Sequence, residues 1–242
     1  MTISRLIQVS SVVGATLCMT IAADAVAGPL AIEGFDTPQQ VGATEIGGIV
    51  SASQISGADI LGGFRDLEID SNATLPLEAR LAATAGVLRF SNATGVQSTG
   101  YVTWDGDDDP TTVTTTGLGG FDITAGSATG IFVNINSADL PGLELTFTIF
   151  DTAGVTSSLT KSYGTITSQV TDSFLYADFI GSANFTDVGA IQLQLAGPTA
   201  LDAEIDLITI GDPIVPTAAP TPNTLAMLIP LVGLLTIRLR RR

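Results

Sequence analysis

The feature that most constrains this chain is a two-residue hydrophobic period. Leu143-Glu144-Leu145-Thr146-Phe147-Thr148-Ile149 alternates apolar and polar without a break, and Ile131 to Asn136, Ile191 to Leu195 and Ala203 to Leu207 repeat the pattern. A strand sends successive side chains to opposite faces, so each of these segments buries one face and wets the other. Gly63 to Ile69, Val87 to Ser91, Gly100 to Trp104, Phe121 to Thr124, Ser157 to Ser162 and Phe174 to Phe179 also read as strands. That makes roughly ten strands, separated by Gly, Asn and Asp as turns require. One helix is expected at Leu75 to Ala85, with Pro76 in its first turn. Short strands at this spacing predict an all-β fold, an antiparallel two-sheet β-sandwich of the jelly-roll type.

The two ends of the chain read differently. Arg5 precedes an uncharged apolar run from Leu6 to Ala23, and Ala25-Val26-Ala27 places small residues at −3 and −1 of a cleavage before Gly28. This is the layout of a secretory signal peptide over 1–27, with Ala23-Asp24-Ala25 as a second cleavage position and an uncleaved anchor as the other reading. Cys18 is the one cysteine and falls in this segment, so the cleaved protein would have no thiol chemistry. At the other end, 211–222 is a linker carrying Pro213, Pro216, Pro220 and Pro222. The tail, 223–242, holds an apolar run from Leu225 to Ile237 and then Arg238, Arg240, Arg241 and Arg242. A helix of that run is about 20 Å long against a hydrocarbon core of about 30 Å, so it makes a marginal C-terminal membrane helix with its basic end in the cytoplasm.

Between the ends, 28–210 carries four bases and 22 acids, a formal charge of −18. That balance argues against nucleic acid, whose phosphates need Lys and Arg. The chain has no His. Together with the missing thiol this leaves the usual hydrolase triads without parts.

The order of tail features resembles the PEP-CTERM sorting signal of Gram-negative surface proteins. Pro220 and Pro222 match its Pro-x-Pro, Thr221 stands where the family has Glu, and Arg238 to Arg242 match its terminal basic cluster. The resemblance implies a partner, an exosortase-type membrane protease, and a transient stop in the inner membrane on the way to the cell surface or extracellular matrix. Ile60-Leu61-Gly62-Gly63-Phe64-Arg65-Asp66-Leu67, Leu88-Arg89-Phe90-Ser91-Asn92 and Val102-Thr103-Trp104-Asp105-Gly106 also resemble phrases of such surface proteins.

Three constellations in the central domain are candidates for chemistry. Asp105, Asp107 and Asp109 alternate on a loop after a strand, as hard oxygen ligands for calcium would, although Pro110 and Thr116 depart from the EF-hand pattern. The other reading is a solvated acidic loop. Tyr101 and Trp104 are candidate sugar contacts; alternation puts Trp104 beside Val102, on the face expected to be core, and Tyr101 on the other. Asp66, Glu68 and Asp70 share one strand face, and Glu204 and Asp206 another, which suits a solvated sheet or, less economically, a carboxylate pair of a glycoside hydrolase. Arg65 beside Asp66 reads as a local ion pair.

The sequence therefore predicts a non-catalytic exported surface or matrix protein, with an exopolysaccharide-binding module of the same fold as the alternative and a glycoside hydrolase as the remote one. An outer face with an aromatic and convergent polar groups would favour saccharide binding, and a featureless small-residue face the purely structural role.

Overall fold

The computed structural model describes residues 29–43, 51–71 and 78–211. Their regular structure is fourteen strands and three short 3-10 turns. Sheet A runs in the order β11 (Val170–Leu175), β8 (Gly130–Ala138), β14 (Asp202–Gly211), β6 (Val87–Asn92), β5 (Ala79–Thr84) and β2 (Gln39–Ala43), with β1 (Leu30–Glu33) also paired to β14. Sheet B runs β12 (Ile180–Gly181), β10 (Thr156–Tyr163), β9 (Leu143–Asp151), β13 (Val188–Ala196), β7 (Ser98–Trp104), β4 (Phe64–Ser71) and β3 (Ser51–Ser56). All pairings between these strands are antiparallel. The described residues form an all-β, two-sheet sandwich.

The alternating segments fix which faces meet. Leu143, Leu145, Phe147 and Ile149 point inward from β9, and Ile191, Leu193 and Leu195 from β13, all fully buried in one core cluster. Sheet A supplies Leu81, Leu88, Phe90, Ile131, Val133, Ile135, Ile205 and Ile208 from the opposite side. Phe147 of sheet B meets Phe174 of sheet A edge-on, ring centroids 4.8 Å apart, so the aromatic pair ties the layers together. Gly100 belongs to this interior because the sheets close tightly there. A Cβ at Gly100 would lie 3.2 Å from Leu81 and 3.4 Å from Phe90.

Four expectations are corrected. The segment expected as a helix, Leu75 to Ala85, contains strand β5, hydrogen-bonded between β6 and β2. Ala79, Leu81 and Ala83 all turn inward there and are buried, so pairing and burial override good helix formers. Phe121 to Thr124 forms no strand beyond a single bridge from Phe121 to Val188. Phe174 to Phe179 leaves the sheet after Leu175 and coils into a 3-10 turn at Tyr176–Asp178, so Tyr176 and Asp178 do not share a strand face with Phe174. Arg65 does not pair with Asp66, because neighbours on a strand face opposite ways; it turns into the core and meets Glu33 at 3.2 Å.

The signal segment with Ala25 and Ala27, and the linker and tail with Pro220, Pro222, Arg238, Arg240, Arg241 and Arg242, lie outside the described residues. Among the described residues no helix is long and apolar enough to cross a membrane.

Candidate functional site

The outer face of sheet B is built by the polar half of the alternation. Register places Tyr101 of β7 directly opposite Glu68 of β4 on one side and Gln194 of β13 on the other. Gln194 is opposite Thr146 of β9, and Thr146 is opposite Thr160 of β10. One row across five strands thus reads Glu68, Tyr101, Gln194, Thr146, Thr160. The next row reads Asp66, Thr103, Gln192, Thr148, Ser158. Directly opposed side chains in a sheet stand about 5 Å apart, so the Tyr101 ring, half-buried, is flanked by a carboxylate and an amide.

The hydrogen bonds of this face hold its side chains in place without using them up. Gln192 donates to Thr103 Oγ1 at 3.0 Å, and the Thr146 and Thr160 hydroxyls meet at 2.8 Å. Burial pushes the Tyr101 hydroxyl pKa up, and the negative charges of Glu68 and Asp70 push it further. The phenol therefore stays protonated and able to donate. Burial likewise raises Glu68, aided by Asp70.

Trp104, the other aromatic proposed for a sugar, is fully buried. Its Nε1 donates to Glu33 Oε2 at 3.3 Å. Around it lies a closed polar network: Glu33 also accepts from the Phe35 amide, and Arg65 donates to Gln39 Oε1 and to the Thr37 carbonyl. Glu33 and Arg65 both have fully buried side chains. Burial raises the Glu33 pKa and lowers that of Arg65, in each case against the partner's charge. Trp104 thus anchors β1 to sheet B and is closed to any external ligand.

Asp105, Asp107 and Asp109 do not converge on a point. Among the described residues no three His, Cys, Asp or Glu side chains gather as a metal ion would need. The three are spent on the loop's own backbone and hydroxyls. Asp105 accepts from the amides of Asp107 and Thr114, Asp107 from the Thr114 hydroxyl and the Asp108 amide, and Asp109 from the amide and hydroxyl of Thr111. Those bonds lower the pKa of Asp107 and Asp109, while burial raises that of Asp105. A carboxylate closing on the amide two residues ahead is an Asx-turn, so this acidity shapes the loop. The loop then folds back on the sheet. Cβ atoms on Gly117 and Gly189 would lie 1.7 Å from the Asp105 carbonyl and 1.6 Å from the Thr115 carbonyl; glycine is required at both contacts.

Where the acidic loop meets the sheet B face sits Asp66. It is 3% exposed, and neither carboxylate oxygen has a hydrogen-bond partner. Burial first, then the charges of Asp105, Asp107, Asp109 and Asp108, push its pKa up to about 7. The alternation singled it out as one of three acids on a face; it did not reveal that this one is buried.

Sequence reasoning missed a groove on the outside of sheet A. Its volume is about 470 Å³, and Arg80, Arg89, Asp139, Asp202 and Glu204 stand among its walls. Glu204 was noted beside Asp206 as a carboxylate pair; the structure gives it to Arg89 at 2.8 Å, while Asp206 accepts from Gln169. The one available signal was scarcity: two of the domain's four bases lie at this place.

No protein-family model matches the chain, and no curated protein matches it. Among solved structures it is similar to the family 11 carbohydrate-binding module of the cellulosomal cellulase Lic26A-Cel5E of Clostridium thermocellum, at 12% identity and a TM-score of 0.38 over 76% of this chain and 95% of that one. The module TmCBM61, solved in complex with β-1,4-galactotriose, is similar at 9% identity and a TM-score of 0.35 over 74% and 90%. The arabinose-bound α-L-arabinofuranosidase MgGH51 is similar at 15% identity and a TM-score of 0.36, over 76% of this chain and 26% of that one.

Proposed function

We propose that the domain is a non-catalytic saccharide-binding module of the jelly-roll kind, exported by its N-terminal signal and sorted to the surface through its C-terminal tail. The observation that carries the binding reading is the Tyr101 row. An aromatic ring offers a flat apolar surface to the C–H face of a sugar, and a protonated phenol adds a donor. Glu68 accepts hydrogen bonds, and Gln194 both donates and accepts. Sugar hydroxyls need both kinds of partner. The face is rigid, because its residues stand on hydrogen-bonded strands rather than loops. The purely structural reading called for a featureless face of small residues; this face carries an aromatic with amides, hydroxyls and carboxylates around it.

The non-catalytic reading is supported by how the carboxylates are used. Glu204 is engaged by Arg89, Asp66 is buried, and Asp105 holds backbone amides. The export reading rests on the order of features at the two ends of the sequence, a charged start and apolar run at one, and Pro-x-Pro, an apolar run and an arginine cluster at the other.

The test is a printed glycan array probed with the labelled wild-type protein and with Tyr101→Ala. Tyr101 is a half-exposed outer-face residue, so the variant should fold with an unchanged circular dichroism spectrum. It should lose at least tenfold in affinity for the glycans that stack on this face. Equal binding by both proteins to every glycan would refute the Tyr101 site.

A further inference from the structure

We propose that the outside of sheet A carries a second saccharide site, on the opposite face of the sandwich from Tyr101, and that the domain can therefore bridge two glycan chains. The bridging clause rests on the Tyr101 reading; the second site does not.

The groove is a product of register. On one row Arg80 of β5 is opposite Ser91 of β6, which is opposite Asp202 of β14. On the next, Ala82 is opposite Arg89, Arg89 opposite Glu204, and Glu204 opposite Ser137 of β8. Across four contiguous strands the small residues Ala82 and Ser137 flank the Arg89–Glu204 pair on one row, and Ser91 lies between Arg80 and Asp202 on the other. The long side chains rise as walls and the small ones leave the trough. Its volume of about 470 Å³ lies within the range of about 300–1,000 Å³ usual for small-molecule sites.

The walls are chemically mixed in a way that suits hydroxyl groups. Arg89 is held by Glu204 at 2.8 Å and Ser91 donates to Asp202, while Asp139 accepts from the Asp202 amide at 2.8 Å. Arg80 donates to Gln40 and has no carboxylate partner among the described residues. A guanidinium supplies five donors and no acceptor, and a carboxylate only acceptors. Each sugar hydroxyl both donates and accepts, so a donor and an acceptor side by side match vicinal hydroxyls edge-on, without an aromatic floor. The charge count selects the class of sugar. Two arginines face three carboxylates, in a domain of formal charge −18, which disfavours uronates and leaves neutral saccharides.

The probes are a printed array of neutral cello-, xylo-, manno- and galacto-oligosaccharides beside uronate-containing ones, and turbidity of a soluble neutral polysaccharide that the array identifies. The proteins are wild type, Tyr101→Ala, Arg89→Ala and Ser137→Phe. Arg89 and Glu204 have side chains 53% and 36% exposed, so Arg89→Ala leaves no buried charge; Ser137→Phe fills the trough independently. Tyr101→Ala should keep binding neutral glycans through the groove, and each groove variant should lose that component at least tenfold. Wild type should raise turbidity, and all three variants should fail to. Unchanged binding by Arg89→Ala and Ser137→Phe, binding confined to uronates, or no glycan bound by wild type would each overturn the second site. Loss of all binding in the groove variants with none in Tyr101→Ala would instead sink the Tyr101 reading and leave the groove standing.

Discussion

Replacing Asp66 by Asn should make the protein more stable at pH 8 and leave it unchanged near pH 3.5. The buried, unpartnered carboxyl has its pKa raised from 3.8 to about 7. In the unfolded chain the group ionises near 4, whereas the folded state holds its proton to about 7. Between those values the folded state binds more protons than the unfolded one, so stability falls as pH rises, and it levels off above about 7. Just over three pKa units, at 1.36 kcal/mol each, set a ceiling of about 4 kcal/mol on the loss. Asn is nearly isosteric and carries no charge, so it removes this dependence. Carboxylates with lowered pKa, such as Asp107, Asp109 and Asp172, act the opposite way, since their stabilisation is lost as pH falls through their folded values. Asp172 does not act on Asp66 and cancels in the difference between the two proteins, whereas Asp107 and Asp109 are coupled to Asp66 and contribute to it. The assay is urea unfolding of wild type and Asp66→Asn at half-unit steps from pH 3.5 to 8.5, with and without millimolar calcium. The difference should grow from zero to between about 2 and 4 kcal/mol as pH rises, and calcium should not change it. A difference independent of pH would refute the assignment of the proton to Asp66. A difference that calcium abolishes would mean that a cation, not a proton, neutralises this corner.

The buried pair of Glu33 and Arg65 gives a second test. Glu33→Gln leaves the Arg65 charge buried without its partner and should cost about 3–5 kcal/mol by urea unfolding; a loss under about 1 kcal/mol would show that Gln39 and the Thr37 carbonyl satisfy the guanidinium alone. For the tail, mass spectrometry of protein from its native host should find no peptide beyond about Thr224, whereas an intact C-terminus at Arg242 on surface material would favour a plain tail anchor.

The fold was legible where one rule governed a whole segment. β9 alternates along its whole length, and β8, β13 and β14 do so over 131–136, 191–196 and 202–206, because one face meets the other sheet and one meets water; the pattern breaks where β14 shifts register between Ile205 and Ile208, so that Ile208 rather than Leu207 is buried. Legibility failed where burial was uneven. β5 carries three Ala and one Leu, with Leu81 beside Phe90 and packed on Gly100 of the other sheet, and such a run of Ala and Leu has the same composition as a helix. Leu30–Glu33, Gln39–Ala43 and Ile180–Gly181 are too short to show a period, so their place depends on the strands that capture them.

The sites divide along the same line. Period two separated Tyr101 from Trp104 without any structure, because the two are three residues apart on a strand and must face opposite ways. The acidic loop was ambiguous in principle, since Asp-x-Asp-x-Asp is the spacing of oxygen ligands and also of successive Asx-turns. In the structure the amides of Asp107, Thr111 and Thr114 donate to these carboxylates, the Asx-turn arrangement. The sheet A groove lay beyond reach, because Arg80, Ser137 and Asp202 are separated by long stretches of chain and meet through register alone. What the sequence did hold was an imbalance, four bases against 22 acids over 28–210. In so acidic a domain each base calls for a reason to be kept. Arg65 has one in Glu33 and Lys161 one in Asp172. Arg89 has Glu204, whereas Arg80 lines the trough with Gln40 as its hydrogen-bond acceptor and no carboxylate partner among the described residues, so the groove holds a base whose charge is not matched by an ion pair there.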